Sequence, residues 1–189
     1  IALHEEIVAA LEGEYEKTTL GRMIVPSVRS RAFLAWFLVD RGRFDDAQAH
    51  IARGEEILLA IEQPYSRVLL NAARGYLALR SGRAHEAVAP LERARDLCFT
   101  LNFFVMEPCV TGWLASALTE IGQPARAREI AAQSIDTDLY RHGGRYAWVF
   151  VHIALAEALL GCGETKDALD KVETALDIAN NSNEPIQIA

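Results

Sequence analysis

Cysteine is scarce in this chain: Cys98, Cys109 and Cys162 are the three among 189 residues. An odd, widely spaced set excludes a disulfide framework and suits reduced, buried thiols in a cytoplasmic protein. No long hydrophobic run exists either. The longest, Ala32 to Val39, falls far short of the roughly 20 residues a membrane span needs. Basic charge is in deficit, with 19 Lys and Arg against 26 Asp and Glu and a net charge of −7. That balance argues against nucleic acid as a direct partner. No signal-like segment precedes the first helix, and the chain begins at Ile1 rather than Met, as expected of a piece of a longer protein.

The residues of chemistry are equally thin. There is no glycine-rich phosphate loop. His142-Gly143-Gly144-Arg145 is too short for one and lacks a preceding strand. No two of His4, His50, His85, His142 and His152 stand at i and i+4, and none pairs with a cysteine at metal-ligand spacing. Nothing marks a nucleophile turn. Asp45-Asp46 and Glu55-Glu56 read as solvated helix faces, and Trp36, Trp113 and Trp148 as core. No catalytic residue, cofactor or metal is therefore expected.

What the chain does have is a period. Gly42, Gly82, Gly122 and Gly163 are spaced 40, 40 and 41 residues apart, the mark of a stacked repeat array. Seven residues before each glycine stand Ala35, Gly75, Ala115 and Ala156. Five after stand Ala47, Ala87, Ala127 and Ala168, and twelve after stand Gly54, Ala94, Ser134 and Ala175. All are small, although Ala, Gly and Ser make up only 49 of the 189 residues. Where helices cross at roughly 8–10 Å, the contact point has no room for a large side chain. Larger residues fill neighbouring slots: Leu34, Leu114 and Leu155 before the first small position, and Ile51, Leu91 and Val172 nine after the glycine. Arg74 breaks the leucine column and Ala131 weakens the other.

This pattern predicts an all-α solenoid of about nine antiparallel helices. A first helix runs from Ala2 to about Leu20, closed by Thr18-Thr19-Leu20-Gly21. Pairs follow at Pro26–Arg41 with Phe44–Ile61, Pro64–Arg80 with Ala84–Thr100, Val105–Ile121 with Pro124–Leu139, and Arg145–Leu160 with Thr165–Asn180. Proline early in a helix costs no hydrogen bond, and Pro26, Pro64 and Pro108 hold comparable places. Pro90, one turn into its helix, suggests a slight kink. Leu101 to Met106 is an unusually apolar link that either packs between repeats or anchors a partner. His142 to Gly144 reads as a flexible joint. The expected organisation is one domain, 1–189. Residues 1–21 form the second helix of a truncated repeat, repeats span 22–62, 63–102, 103–142 and 143–183, and 184–189 is a tail.

Small-residue columns in paired helices with a Gly-x-x-x-x-Ala turn resemble tetratricopeptide repeats, here of a long type. Arg31-Ala32-Phe33-Leu34-Ala35-Trp36, Gly54-Glu55-Glu56, Pro64-Tyr65-Ser66, Leu91-Glu92-Arg93 and Leu97-Cys98 are similar to the C-terminal repeats of bacterial proteins that join a class III adenylate/guanylate cyclase domain to an ATPase domain. The resemblance implies a right-handed α-α superhelix whose first helices line a concave groove. By position it points to Arg29, Trp36 and Asp40 in repeat one, and to Tyr65, Leu69, Tyr76 and Arg80 in repeat two. Repeat three offers Gly112, Ser116 and Glu120; repeat four offers Tyr146, Phe150 and Glu157. Each could equally be inter-repeat packing.

Two functions stay open at this point. One is a non-catalytic scaffold in a cytoplasmic signalling protein, binding a peptide, a partner protein or another domain of its own parent chain. The other is a small-molecule sensor, as a neighbouring resemblance to ATP-dependent transcription activators implies. Homodimerisation through a terminal helix is a third arrangement, since a cut solenoid exposes apolar ends.

Overall fold

The structure, a computed structural model, describes residues 1–136 and 145–181, the side chains of 145 and 146 excepted. The expected joint at His142 to Gly144, the side chain of Tyr146 and the tail lie outside the described residues. Among the described residues every regular element is a helix. In chain order these are α1 (Ala2–Leu11), α2 (Pro26–Asp40), α3 (Phe44–Leu59), α4 (Pro64–Arg80), α5 (Ala84–Thr100), α6 (Glu107–Glu120), α7 (Pro124–Asp136), α8 (Arg145–Gly161) and α9 (Thr165–Asn181). This is an all-α repeat fold.

The helices fall in two compact units, Ile1–Leu101 and Asn102–Ala189. In the first, α1 packs on α2, α2 pairs with α3, α4 pairs with α5, and α4 also lies against both α2 and α3. The second repeats the scheme: α6 pairs with α7, α8 with α9, and α8 lies against both α6 and α7.

The turn within each pair follows from its glycine. Gly42, Gly82, Gly122 and Gly163 have φ of +73°, +75°, +79° and +81°, the left-handed region where a side chain is strained. Space is not the reason, because a Cβ at any of the four would meet nothing within 4 Å. The residue after each glycine donates its N–H back into the preceding helix: Arg43 to Leu38 O at 2.9 Å, Arg83 to Ala78 O at 2.9 Å, Gln123 to Leu118 O at 2.8 Å and Glu164 to Leu159 O at 2.9 Å. These bonds satisfy carbonyls that a helix end otherwise leaves open.

All twelve small-column residues are buried. A Cβ on Gly75 would run into the side chain of Leu91, so the first small position of a pair meets the large residue nine after its glycine. A Cβ on Gly54 would come within 2.7 Å of Leu70 Cδ2, which places the last small position against the next first helix. The approach that involves main chain is at Gly112, where a Cβ would stand 2.8 Å from the backbone carbonyl carbon of Phe150. There α6 touches the main chain of α8.

Two expectations are corrected. The first helix stops at Leu11, not near Leu20. Gly13 turns the chain at φ +85°, and the following segment folds back to bury Glu16, which is 5% exposed. Arg31 Nη2 donates to Glu16 Oε1 at 3.0 Å, Arg53 Nε and Nη2 donate to Oε1 and Oε2 at 3.1 and 2.6 Å, and Ser27 Oγ donates to the Glu16 carbonyl at 2.5 Å. A continuing helix could not deliver that carboxylate between α2 and α3. The second correction is Val172, which is 40% exposed whereas Ile51 and Leu91 are fully buried. Helix α4 covers α3, and Gly75 leaves room for Leu91. Helix α5 runs unbroken through Pro90.

Hydrogen bonds from Arg53, then its charge and that of Arg31, outweigh burial and hold the Glu16 carboxyl below its ordinary 4.5. A carboxyl lowered in the folded state stabilises above its unfolded pKa, and that contribution is lost as pH falls through the folded value. Glu16→Gln should therefore cost about 3 kcal/mol at pH 7, because Arg31 is left buried without its countercharge. In urea titrations the gap to the parent should narrow as pH falls below the ordinary 4.5 and through the lowered folded value. Gly112→Ala should cost about 2–3 kcal/mol, since main chain cannot yield, and Gly54→Ala about 1 kcal/mol or less, since a leucine methyl can. Thermal unfolding of the pair checks this order.

Candidate functional site

The turn glycine fixes the register of each first helix, and the register fixes which residues share a face. Six residues before the glycines stand Trp36, Tyr76, Ser116 and Glu157. Within each unit the structure sets these side by side. Trp36 meets Tyr76 edge-on with ring centroids 6.0 Å apart. Ser116 Oγ donates to Glu157 Oε2 at 2.7 Å.

In the first unit, Trp36 is half-buried in an aromatic cluster. It stacks on Phe33 at 6.2 Å and Phe37 at 6.5 Å, and His4 stacks on Phe33 at 5.6 Å. Tyr76 is 7% exposed and donates its hydroxyl to Asp40 Oδ1 at 2.5 Å. Burial, then the bond to Asp40, pushes the phenol well above its usual range. Asp40 and Arg80 are exposed and Arg29 is half-buried. Leu69 is buried at 4%, and half-buried Tyr65 donates to the Leu101 carbonyl at 3.3 Å. The surface offered by this unit's candidates is therefore made by Trp36, Asp40, Arg80 and Arg29, while Tyr76 and Leu69 are buried.

In the second unit, Gly112 is buried under α8, Phe150 is half-buried and meets Trp113 edge-on at 6.0 Å, and Glu120 and Glu157 are exposed. This face is acidic where the first is mixed.

Several polar features carry no sequence signal. Glu107, in the first turn of α6, is fully buried. It accepts from Thr111 Oγ1 at 2.6 Å and Ser134 Oγ at 2.8 Å, tying α6 to α7. Burial, with Glu107 nearby, pushes the Cys109 thiol up to about 12, so it is inert as a nucleophile. Burial, with Lys171, brings His152 down to about 4, a neutral packing histidine at pH 7. Among the described residues no three His, Cys, Asp or Glu converge as metal ligands, and no helix is long and apolar enough to cross a membrane.

Each unit also has a cavity. One of about 690 Å³ in the second unit has Leu155 and Leu159 of α8 in its lining, together with Arg126, Arg128, Asp136 and Lys171. One of about 340 Å³ in the first unit is bounded by α3, α4 and α5. Its lining includes Arg74, the residue that interrupts the leucine column.

The tetratricopeptide repeat family model matches residues 28–53 and 149–170, each covering parts of a turn-linked pair or the helix before a turn. These two stretches are similar to tetratricopeptide repeats. Among solved structures, that of a kinesin light chain-like protein of Podosopora anserina, with nearly identical TPR-like repeats, superposes with a TM-score of 0.62 at 18% identity, covering 97% of this chain and 87% of that one. A point variant of it gives 0.61 at 19% identity over the same shares. Among curated proteins none matches the chain.

The Tyr76–Asp40 bond makes a prediction. Tyr76→Phe should lower stability by about 1 kcal/mol, and in a double-mutant cycle Asp40→Ala should add little to it. Full additivity in urea unfolding would mean that the bond contributes nothing.

Proposed function

We propose that this chain is a non-catalytic interaction module of a larger cytoplasmic signalling protein, and that it binds a peptide or partner domain on its first-helix faces. Tetratricopeptide repeats generally serve protein–protein interaction. The observation that carries the reading is the register: the residues six before each glycine adjoin their neighbours within each unit, at Trp36–Tyr76 and Ser116–Glu157. Around them the exposed Asp40, Arg80 and Glu120 supply charge. An aromatic anchor with an adjacent arginine is the composition of binding hot spots. Because Tyr76 is locked from below, Trp36 is pre-oriented and little ordering entropy is lost on association. A single repeat domain over 1–189, the right-handed winding of its helices and a parent protein with cyclase or ATPase domains belong to the same proposal.

A small-molecule sensor is the second reading, and the cavity of about 690 Å³ favours it, being within the size range of ligand pockets.

Peptides selected from a random library on the intact chain separate the two. The expected outcome is binders whose affinity falls about tenfold or more on Trp36→Ala with Arg80→Glu, with hydrogen-exchange protection on α2 and α4. Affinity unchanged in that double variant would refute the first-helix face. A thermal-shift response to metabolites, lost on Leu155→Trp, would favour the sensor instead.

A further inference from the structure

We propose that the groove bounded by α3, α4 and α5 is a docking site for a short acidic peptide carrying an aliphatic side chain next to its carboxylate, separate from the first-helix face. Arg67 and Arg74 of α4 and Arg93 of α5 line this cavity with a single acidic residue, Glu55 of α3. The groove thus carries a net charge of +2 in a chain of net charge −7. The fixed fork of a guanidinium matches a carboxylate through two parallel bonds.

The three arginines are differently committed. Arg67 Nη2 donates to the Leu58 carbonyl at 3.2 Å, which fixes the base of its fork. Arg74 is ion-paired with Glu55, both partners part-exposed. Arg93 stands exposed at the opposite wall. Glu55 thus already presents a carboxylate to this cluster, as an incoming acidic side chain would. Arg74 also stands where the other pairs carry Leu34, Leu114 and Leu155, so packing does not require a cation there.

The apolar half of the site selects the kind of anion. Leu58 and Leu70 are buried at 3% and 4%, while Leu59, in the same lining, is 86% exposed. A simple inorganic anion would engage the arginines and leave Leu59 in water. A peptide with a carboxylate beside an aliphatic residue covers both.

The test uses the full chain and a blocked, fluorescein-labelled peptide of alternating glutamate and leucine, read by anisotropy. Arg93→Glu should weaken binding by about tenfold or more, and Glu55→Gln should tighten it several-fold by releasing Arg74. Opposite signs from two surface substitutions do not arise from lost folding. A peptide with glutamine in place of glutamate should bind at least about tenfold more weakly. Equal binding of the two peptides, or affinity unchanged in both variants, would overturn the proposal. Equal binding of a peptide with serine in place of leucine would reduce the groove to a simple anion site and overturn the peptide assignment. Trp36→Ala with Arg80→Glu should leave this binding intact. Loss of binding there would move the acidic peptide to the first-helix face, sinking this proposal and not the preceding one.

Discussion

Everything in this fold depends on how closely two helices can approach. A helix pair buries its apolar stripe only if the axes come near enough for side chains to interdigitate. Here that distance is set by residues with almost no side chain. Gly75 lies against Leu91, Gly54 against Leu70, and Gly112 against the main chain of Phe150. The large residues are complementary: Leu91 is fully buried because Gly75 makes room for it. The pairing therefore belongs to the columns jointly. Enlarging the small member takes away the space that the large member needs.

The columns say how a pair packs but not what closes its edges, and that is done by buried carboxylates. Glu16 ties the segment after α1 to α2 and α3 through Arg31 and Arg53, while Glu107 ties α6 to α7 through Thr111 and Ser134. Both are buried acids with fully specified donors. They confer position more than energy: the ion pair of Glu16 roughly repays its own desolvation, and Glu107 exchanges water for two hydroxyl donors. An apolar contact tolerates sliding. A carboxylate held on both oxygens does not.

This division explains what was legible in the sequence. The turns could be read because the left-handed φ is a local demand that only glycine meets cheaply, and it recurs every 40 or 41 residues. The columns could be read because steric exclusion at a crossing admits few residue types. Helices α4 and α5 match their expected bounds for the same reasons. The end of α1 could not be read: Glu16 looks like any exposed helical acid until Arg31 and Arg53 are brought to it from the next pair. Glu107 misleads similarly, because an acid in a first turn ordinarily faces water and the helix dipole. Among the surface candidates, register put Trp36 beside Tyr76, but the depth of Tyr76 depends on the rings around it and on Asp40, which no spacing encodes.

Departures from the columns therefore carry more functional information than agreement with them. Where the leucine column is kept, at Leu34, Leu114 and Leu155, the side chain is buried and serves the stack. At Arg74 the same slot opens to a cavity with two further arginines in its lining and a part-exposed side chain, whereas the cavity beside Leu155 keeps the buried leucine. A repeat fold leaves few ways to make a site, since most positions are committed to neighbours above and below. It can decorate the exposed flank of a first helix, or it can give up one packing residue and use the space. Trp36 with Asp40 and Arg80 is the first kind, and the Arg74 groove is the second. The second is costlier, because it forfeits buried apolar contact that Leu34 provides one pair earlier. A cost of that kind, taken at one repeat alone, is the physical reason to look for a ligand there.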